Sequence, residues 1–350
     1  MKKITVGIDF AKEKFDMTAI NVCNGASIHA QFKNAPSGAR DMVRTVKKFA
    51  KGTNSSEWLF CGEDTGYYSQ TVTRYLAEKG FFMWQQNAYS IKRSEGRIRR
   101  GKDDKADSRT IAEYAKRFQD MAVEYKLPPK EQEELKMLLS QRDLYVSAKT
   151  KLQNSTSEIP DRKTQGEAVR LIKAANKRLC RQIGQEIKRI EKKMDEIIGS
   201  VQEIKQNYDI LTSFTGVARI NAITFIVYTD NFAKFELNAR KIATYWGVAP
   251  FHKESGSTLH TAPHVSGFCN KQLKALISNA ATVAIKFNPV IKAYYNRLLE
   301  KGKCPMIAKN NVKNKIIHIL TAMIKNKQKF NPDKIFTQIQ SVKTVNLLVS

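Results

Sequence analysis

Over the first 125 positions, short apolar stretches alternate with clusters of turn residues. Ile4-Thr5-Val6-Gly7-Ile8 reads as a strand that closes on Asp9, and Phe15 to Ile20 and Ser27 to Phe32 supply two more. Ala39 to Ala50 carries Met42, Val43, Val46 and Phe49 at helical spacing. Trp58-Leu59-Phe60-Cys61 reads as a buried strand, followed by Gly62-Glu63 and a helix through Tyr75 and Leu76. Phe81-Phe82-Met83-Trp84 makes a fifth strand. Three adjacent strands, then alternating helices and strands, predict a mixed sheet with helices on its faces.

From Pro128 to about Gln206, Glu, Lys, Gln and Arg dominate. The apolar positions Leu135, Leu138, Leu139, Leu144, then Leu171, Ile172, Leu179, Ile183, Ile187, Ile190, Met194 and Ile197 fall largely at spacings of three and four. That pattern predicts two long amphipathic helices paired as a hairpin or coiled coil, with Pro160-Asp161 and Gly166 marking the break between them. Its expected role is dimerisation. Residues 207 to 330 are again mostly helical but richer in Gly and Pro, with a long polar loop expected from Gly247 to Phe268; residues 331–350 read as a tail. Gly216-Val217-Ala218 before an apolar helix has the look of half a helix-hairpin-helix, a phosphate-contacting device; the alternative is a helix start packed in a core.

Charge adds a partner to this picture. The net charge is +27, with sixty Lys and Arg against thirty-three Asp and Glu, and such an excess favours a polyanion. Nucleic acid is the first candidate. An anionic membrane is the second, but no apolar run approaches the roughly 20 residues that span a bilayer. Met1-Lys2-Lys3 reaches Asp9 too soon for a signal-peptide core. Cys23, Cys61, Cys180, Cys269 and Cys304 are scattered with no C-x-x-C pair, which argues against a zinc ribbon or a disulfide framework and for a reducing cytoplasm. Any catalytic metal must then be held by oxygen.

Four carboxylates are placed to do so. Asp9 closes the first strand, Glu63 follows the fourth, and Asp104 and Asp107 lie three apart at the start of a helix through Tyr114. Carboxylates gathered at one point repel unless cations neutralise them. Mg²⁺ suits such oxygens and keeps waters for a phosphate substrate, and two ions about 4 Å apart would stabilise the attacking and leaving oxygens of a phosphoryl transfer. Arg93, Arg97, Arg99, Arg100, Lys102 and Lys105 crowd the approach to Asp104, as phosphate-binding residues would, with a solvated basic loop as the alternative. Trp84 and Tyr89 read as packing groups. Singly, each acid also has an ordinary reading: a turn at Asp9, solvent exposure at Glu63, a helix cap at Asp103 or Asp104.

At these residues the chain resembles the DEDD transposases of insertion sequences, the bridge-RNA-guided serine recombinases. The matching pieces are Gly7-Ile8-Asp9-Phe10-Ala11-Lys12, Glu63-Asp64-Thr65-Gly66-Tyr67-Tyr68, and Asp104-Lys105-Ala106-Asp107-Ser108 with Ile111-Ala112 following. A second block runs through Phe235, Ala243-Thr244-Tyr245-Trp246-Gly247-Val248-Ala249-Pro250, Ser255-Gly256, Val265-Ser266-Gly267 and Asn270-Lys271-Gln272-Leu273. The resemblance implies a RuvC-like domain of RNase H-like fold over residues 1–125, a helical coiled-coil segment over 126–206, and a mostly helical C-terminal domain over 207–330. It implies a metal quartet of Asp9, Glu63, Asp104 and Asp107 for Mg²⁺ or Mn²⁺, and Ser255 as the nucleophile that attacks DNA. It also implies element-end and target DNA as substrates, a guide RNA as partner, and a homodimer or dimer of dimers. The chain departs from the family pattern at Ser108 and Asp64, where alanine is usual; Asp64 adds a competing carboxylate beside Glu63.

A serine hydroxyl is a weak nucleophile and needs activation, and a Ser-Gly pair in a loop is, by itself, a turn. Ser257 and Ser266 are reserve candidates, and His252, His260 and His264 are candidates for proton transfer. Two other functions explain part of the pattern. A RuvC-like nuclease or junction resolvase using water accounts for the quartet and the charge. A non-catalytic nucleic-acid-binding protein accounts for the charge alone. Phosphotransfer to a sugar or nucleotide lacks a Gly-rich phosphate loop.

Overall fold

The computed structural model describes residues 1–94, 103–159, 166–255, 259–267 and 269–332. They form two compact units, one of Met1–Leu127 and one beginning at Pro128.

The first unit is a five-stranded sheet in the order β3-β2-β1-β4-β5. Strands β1 (Ile4–Phe10), β2 (Lys14–Asn21) and β3 (Ser27–Lys33) form an antiparallel meander. Strands β4 (Trp58–Glu63) and β5 (Met83–Gln86) run parallel to β1, reached through helices α1 (Pro36–Phe49) and α2 (Tyr67–Glu78). This mixed sheet with flanking helices is consistent with an RNase H-like α/β fold. Successive strand residues point to opposite faces. Ile4, Val6, Ile8 and Phe10 therefore enter one core with Ala39, Met42 and Val46 of α1 and Val72 and Leu76 of α2. The other face is covered by α3 (Ala88–Ser94) and α4 (Asp104–Arg117), where Leu59, Cys61 and Trp84 pack with Ile91, Ile111, Tyr114 and Ala115. The fifth strand starts two residues later than the apolar run suggests. Phe81 instead closes α2 through a bond to Leu76 O and stacks its ring on Trp58 at 6.1 Å.

The second unit is built on helices. α5 (Lys130–Ser157) and α6 (Glu167–Ser200) are the two expected long helices, and they run antiparallel. Arg142 Nε donates to Glu191 Oε1 at 2.7 Å midway along α5, and Asn176 Nδ2 donates to Thr156 Oγ1 at 3.0 Å near the C-terminal end of that helix. Pro160 and Asp161 lie outside the described residues. Leu135 and Leu139 of α5 and Met194, Ile197 and Ile198 of α6 share one core with the helices that follow. These are α7 (Gln202–Thr212), α8 (Arg219–Tyr228), α9 (Ala239–Tyr245), α10 (Lys271–Phe287), α11 (Pro289–Glu300) and α12 (Pro305–Lys325). Trp246, fully buried, stacks on Phe225 at 4.1 Å near the middle of that core.

One open alternative is favoured here and one expectation changes. Gly216 has a packing role: at φ +111° its missing side chain admits α10, since a Cβ would stand 2.7 Å from Ala280 O. The region from Gly247 to Phe268 is no plain loop. It contains an antiparallel hairpin of β6 (Pro250–Ser255) and β7 (Leu259–Val265), paired from Pro250↔Val265 to Ser255↔Leu259. The dense Gly, Ser, Thr, His and Pro composition hides the strand alternation. A register shift between Phe251 and Lys253 leaves Pro263, which has no amide to donate, at the irregularity. Among the described residues no helix is long and apolar enough to cross a membrane.

Candidate metal and nucleophile sites

Asp9 and Glu63 stand at the carboxyl ends of neighbouring parallel strands. The β1–β4 register runs to Ile8↔Gly62, one residue short of them. Both follow residues that face α4: Thr5 and Gly7 before Asp9, Leu59 and Cys61 before Glu63. Both are half-buried.

The lie of α4 follows from Gly7. A Cβ on Gly7 would meet Ser108 O at 2.2 Å and Ala112 N at 2.3 Å, so the helix rests directly on the backbone of β1. Just past the helix, Gln119 Oε1 accepts from Lys2 N at 2.8 Å, at the start of the strand. The helix therefore runs back along β1, with its first turn at the Asp9 end. Asp103 is the cap, its side chain accepting from Lys105 N. Asp104 is thus the first helical residue, with half-buried Asp107 three later. Ser108, where the family pattern has alanine, is fully buried; its Oγ lies 2.8 Å from Thr18 Oγ1 and donates to Lys105 O at 3.0 Å. The hydroxyl thus ties α4 to β2. Asp64 is exposed and turns back to accept from Gly66 N at 3.2 Å, a turn contact.

The donor groups are all carboxylate oxygens, the chemistry that Mg²⁺ or Mn²⁺ takes. Among the described residues, however, no group of three His, Cys, Asp or Glu stands close enough to hold a metal, and the Asp104 side chain lies outside the described part. Charge near Glu63 is felt beneath it: burial first, and then the Glu63 carboxylate, push the Cys61 thiol up to about 12.

Two further residues of this rim escaped sequence reasoning. Asp16 of β2 pairs with Asp9 across the antiparallel ladder, which puts both on one face. It is almost fully buried; His29 Nε2 lies 3.0 Å from its Oδ1 and Gln31 Nε2 donates to its Oδ2 at 3.0 Å. An acid within an apolar strand was the available signal, whereas Asp9 was marked by closing one. Asn34 donates from Nδ2 to Ala11 O and to Tyr68 O, both at 2.8 Å, tying the end of β1 to the start of α2. Nothing local in the sequence announces it.

Of the basic approach, Arg93 and Lys105 are exposed, and Arg93 lies over the Tyr89 ring at 5.1 Å. Tyr89 itself is about half exposed and so is no core group, whereas Trp84 is buried against Tyr114 at 5.3 Å. Arg97, Arg99, Arg100 and Lys102 lie outside the described residues. Ser255 ends β6, opposite Leu259, in the second unit. Its side chain and those of His252 and His260 are outside the described part, as is Ser257 altogether. His264 is exposed on β7, and Ser266 follows that strand half-buried. The four carboxylates thus belong to one unit, and the serine to the other.

Comparison with known proteins gives this arrangement its class: a transposase, a DNA recombinase-type enzyme. A family model for the DEDD-type IS110 domain, described as Transposase, matches residues 6–163, and one described as Transposase IS116/IS110/IS902 family matches residues 208–296. The chain belongs to the DEDD-type IS110 transposase family. It is similar to the pilin gene-inverting proteins of Moraxella bovis and Moraxella lacunata, each 22% identical over 336 residues, 95% of this chain and 98% of the relative. It is also 30% identical over 116 residues to an uncharacterized 43.6 kDa protein of insertion element IS110 from Streptomyces coelicolor, 33% of this chain and 28% of that one. A DEDD transposase domain points to divalent-metal dependence in general.

Proposed function

We propose that this transposase cuts and rejoins DNA through a covalent link to Ser255, with Asp9, Glu63, Asp104 and Asp107 holding a divalent cation, Mg²⁺ or Mn²⁺. The observation that carries the reading is the convergence of the ends of β1 and β4 with the first turn of α4 on one face of the sheet. A cation bound there neutralises charge on the oxygens around the scissile phosphorus. The chain's own part is to hold four carboxylates against their repulsion, and the Gly7 contact and the Ser108–Thr18 bond fix the helix that carries two of them.

In the proposed step Ser255 Oγ bonds to phosphorus as the bond to the leaving sugar oxygen breaks. The hydroxyl proton passes to a base, and a proton returns to the departing oxygen. The phosphoserine conserves the phosphodiester for rejoining, which suits a reaction of the kind that the name of the Moraxella relatives describes, gene inversion. Arg93 and Lys105, with Arg97, Arg99, Arg100 and Lys102, contact the DNA backbone. A guide RNA supplies target sequence, and α5 and α6 serve assembly into a dimer or dimer of dimers, as the family resemblance implies.

The test is a denaturing gel of purified protein with Mg²⁺, element-end DNA and RNA transcribed from beside the gene. Wild type is expected to give a protein–DNA adduct. Ser255→Ala, which has no oxygen to bond phosphorus, is expected to abolish it, and Asp107→Ala to lower it by on the order of 10³-fold. Cleavage without an adduct that survives Ser255→Ala would instead establish a water-using nuclease.

A further inference from the structure

Half of the protein's net charge lies where acids are almost absent. Residues 237–332 hold sixteen Lys and Arg against only Glu254 and Glu300, in a chain of net charge +27. Helices α10 and α12, which pack together, contain no Asp or Glu. Lys309 and Lys313 lie one turn apart on α12 and share a face. Lys274 of α10 is close enough to Lys313 for their charges to interact. Its Cδ is also 3.8 Å from where a Cβ on Gly247 would stand. Asn310, beside Lys309, donates to Val248 O at 3.0 Å. The packing of α10 on α12 thus brings Lys274, Lys309 and Lys313 into one neighbourhood, with Lys274 beside Gly247 and Asn310, next to Lys309, bonded to Val248 just before β6 begins.

All three lysines are half-buried. Among the described side chains none has a carboxylate within ion-pair distance. Burial, and after it the charges of Lys309 and Lys274, push the Lys313 ammonium below the usual lysine range. A cluster of this kind costs self-repulsion that a bound anion relieves. Lysines act as point charges that position a phosphate without reading sequence, and acid-free surroundings suit an extended polyanion better than a lone ion.

We propose that Lys274, Lys309 and Lys313 form a seat for the phosphate backbone of duplex DNA, at the root of the hairpin that carries Ser255. The proposal rests on the recombinase reading above and adds to it a place where DNA is held in the second unit. The experiment uses the full chain and a labelled DNA duplex, with affinity measured over a series of KCl concentrations. Each of Lys309→Gln and Lys313→Gln is expected to flatten the slope of log affinity against log salt by about 0.9. Lys313→Arg, which keeps the charge, is expected to retain the wild-type slope. The melting temperature of Lys313→Gln is expected to hold or rise, because repulsion is relieved; if that variant fails to fold, the Lys274→Gln/Lys309→Gln pair serves in its place. An unchanged slope in the double variant overturns the seat, as does a loss seen only with an RNA hairpin of equal charge. Flattening without any Ser255 adduct would keep the seat and sink the recombinase reading; an adduct with unchanged slopes would do the reverse.

Discussion

The strand that carries Asp9 and the strand that carries Ser255 are held in different ways. β1 sits at the centre of five strands, bonded to β2 on one side and β4 on the other, with helices over both faces. β6 has one bonded neighbour, β7, in a two-stranded ribbon. The difference matches what the proposed reaction would ask of each residue. Carboxylates that share a cation must stay at fixed distances, because small displacements lose the ligand set or restore the repulsion. A nucleophile must approach phosphorus, hold it through an exchange of partners, and then release it. A central strand suits the first task and a ribbon the second, since an isolated hairpin is only marginally stable by itself.

The most direct attempt to break the comparison is amide hydrogen exchange. The amides of Val6 to Ile8 are expected to exchange on the order of 10³-fold or more slowly than those of Lys253 to Ser255, because local opening is cheaper where fewer neighbours hold the backbone. Equal protection would remove the distinction. Next in size is Gly7→Ala. Its methyl must displace main-chain atoms of α4 that now stand 2.2 and 2.3 Å from its place. A loss of about 3 kcal/mol, the upper part of the overpacking range, is expected in denaturant unfolding. Metal-dependent cleavage should fall with it, while the helical unit keeps its DNA affinity. A neutral Gly7→Ala would show that the sheet does not set the position of α4. The smallest effect belongs to Ser108→Ala, at about 1 kcal/mol, because the buried Thr18 hydroxyl loses its partner. Adding Thr18→Val should recover most of that cost, sharpening the tie between α4 and β2.

What the sequence disclosed follows from the range over which each feature is encoded. β1 and β4 are short apolar bursts ending in acids, and the start of α4 announces itself through Asp103, Asp104 and Asp107, so three parts of the candidate site were readable locally. The hairpin was not, because residues such as His252, Ser255, Thr261 and Pro263 give no alternation of apolar and polar positions. Asp16 faces Asp9 only through strand pairing, and Asn34 acts through bonds to Ala11 and Tyr68. The proposed lysine seat needs α10 and α12 to pack before its three residues become neighbours.

The contact at Gly7 carries a last consequence. The gap between α4 and the sheet is spanned by main-chain atoms on both sides, and main chain has no rotamers and is the same in every residue. The separation between the strand that carries Asp9 and the helix that starts at Asp104 is therefore set by backbone contact. Any side chain at position 7 would widen that separation, because the methyl of even an alanine has main chain in its way.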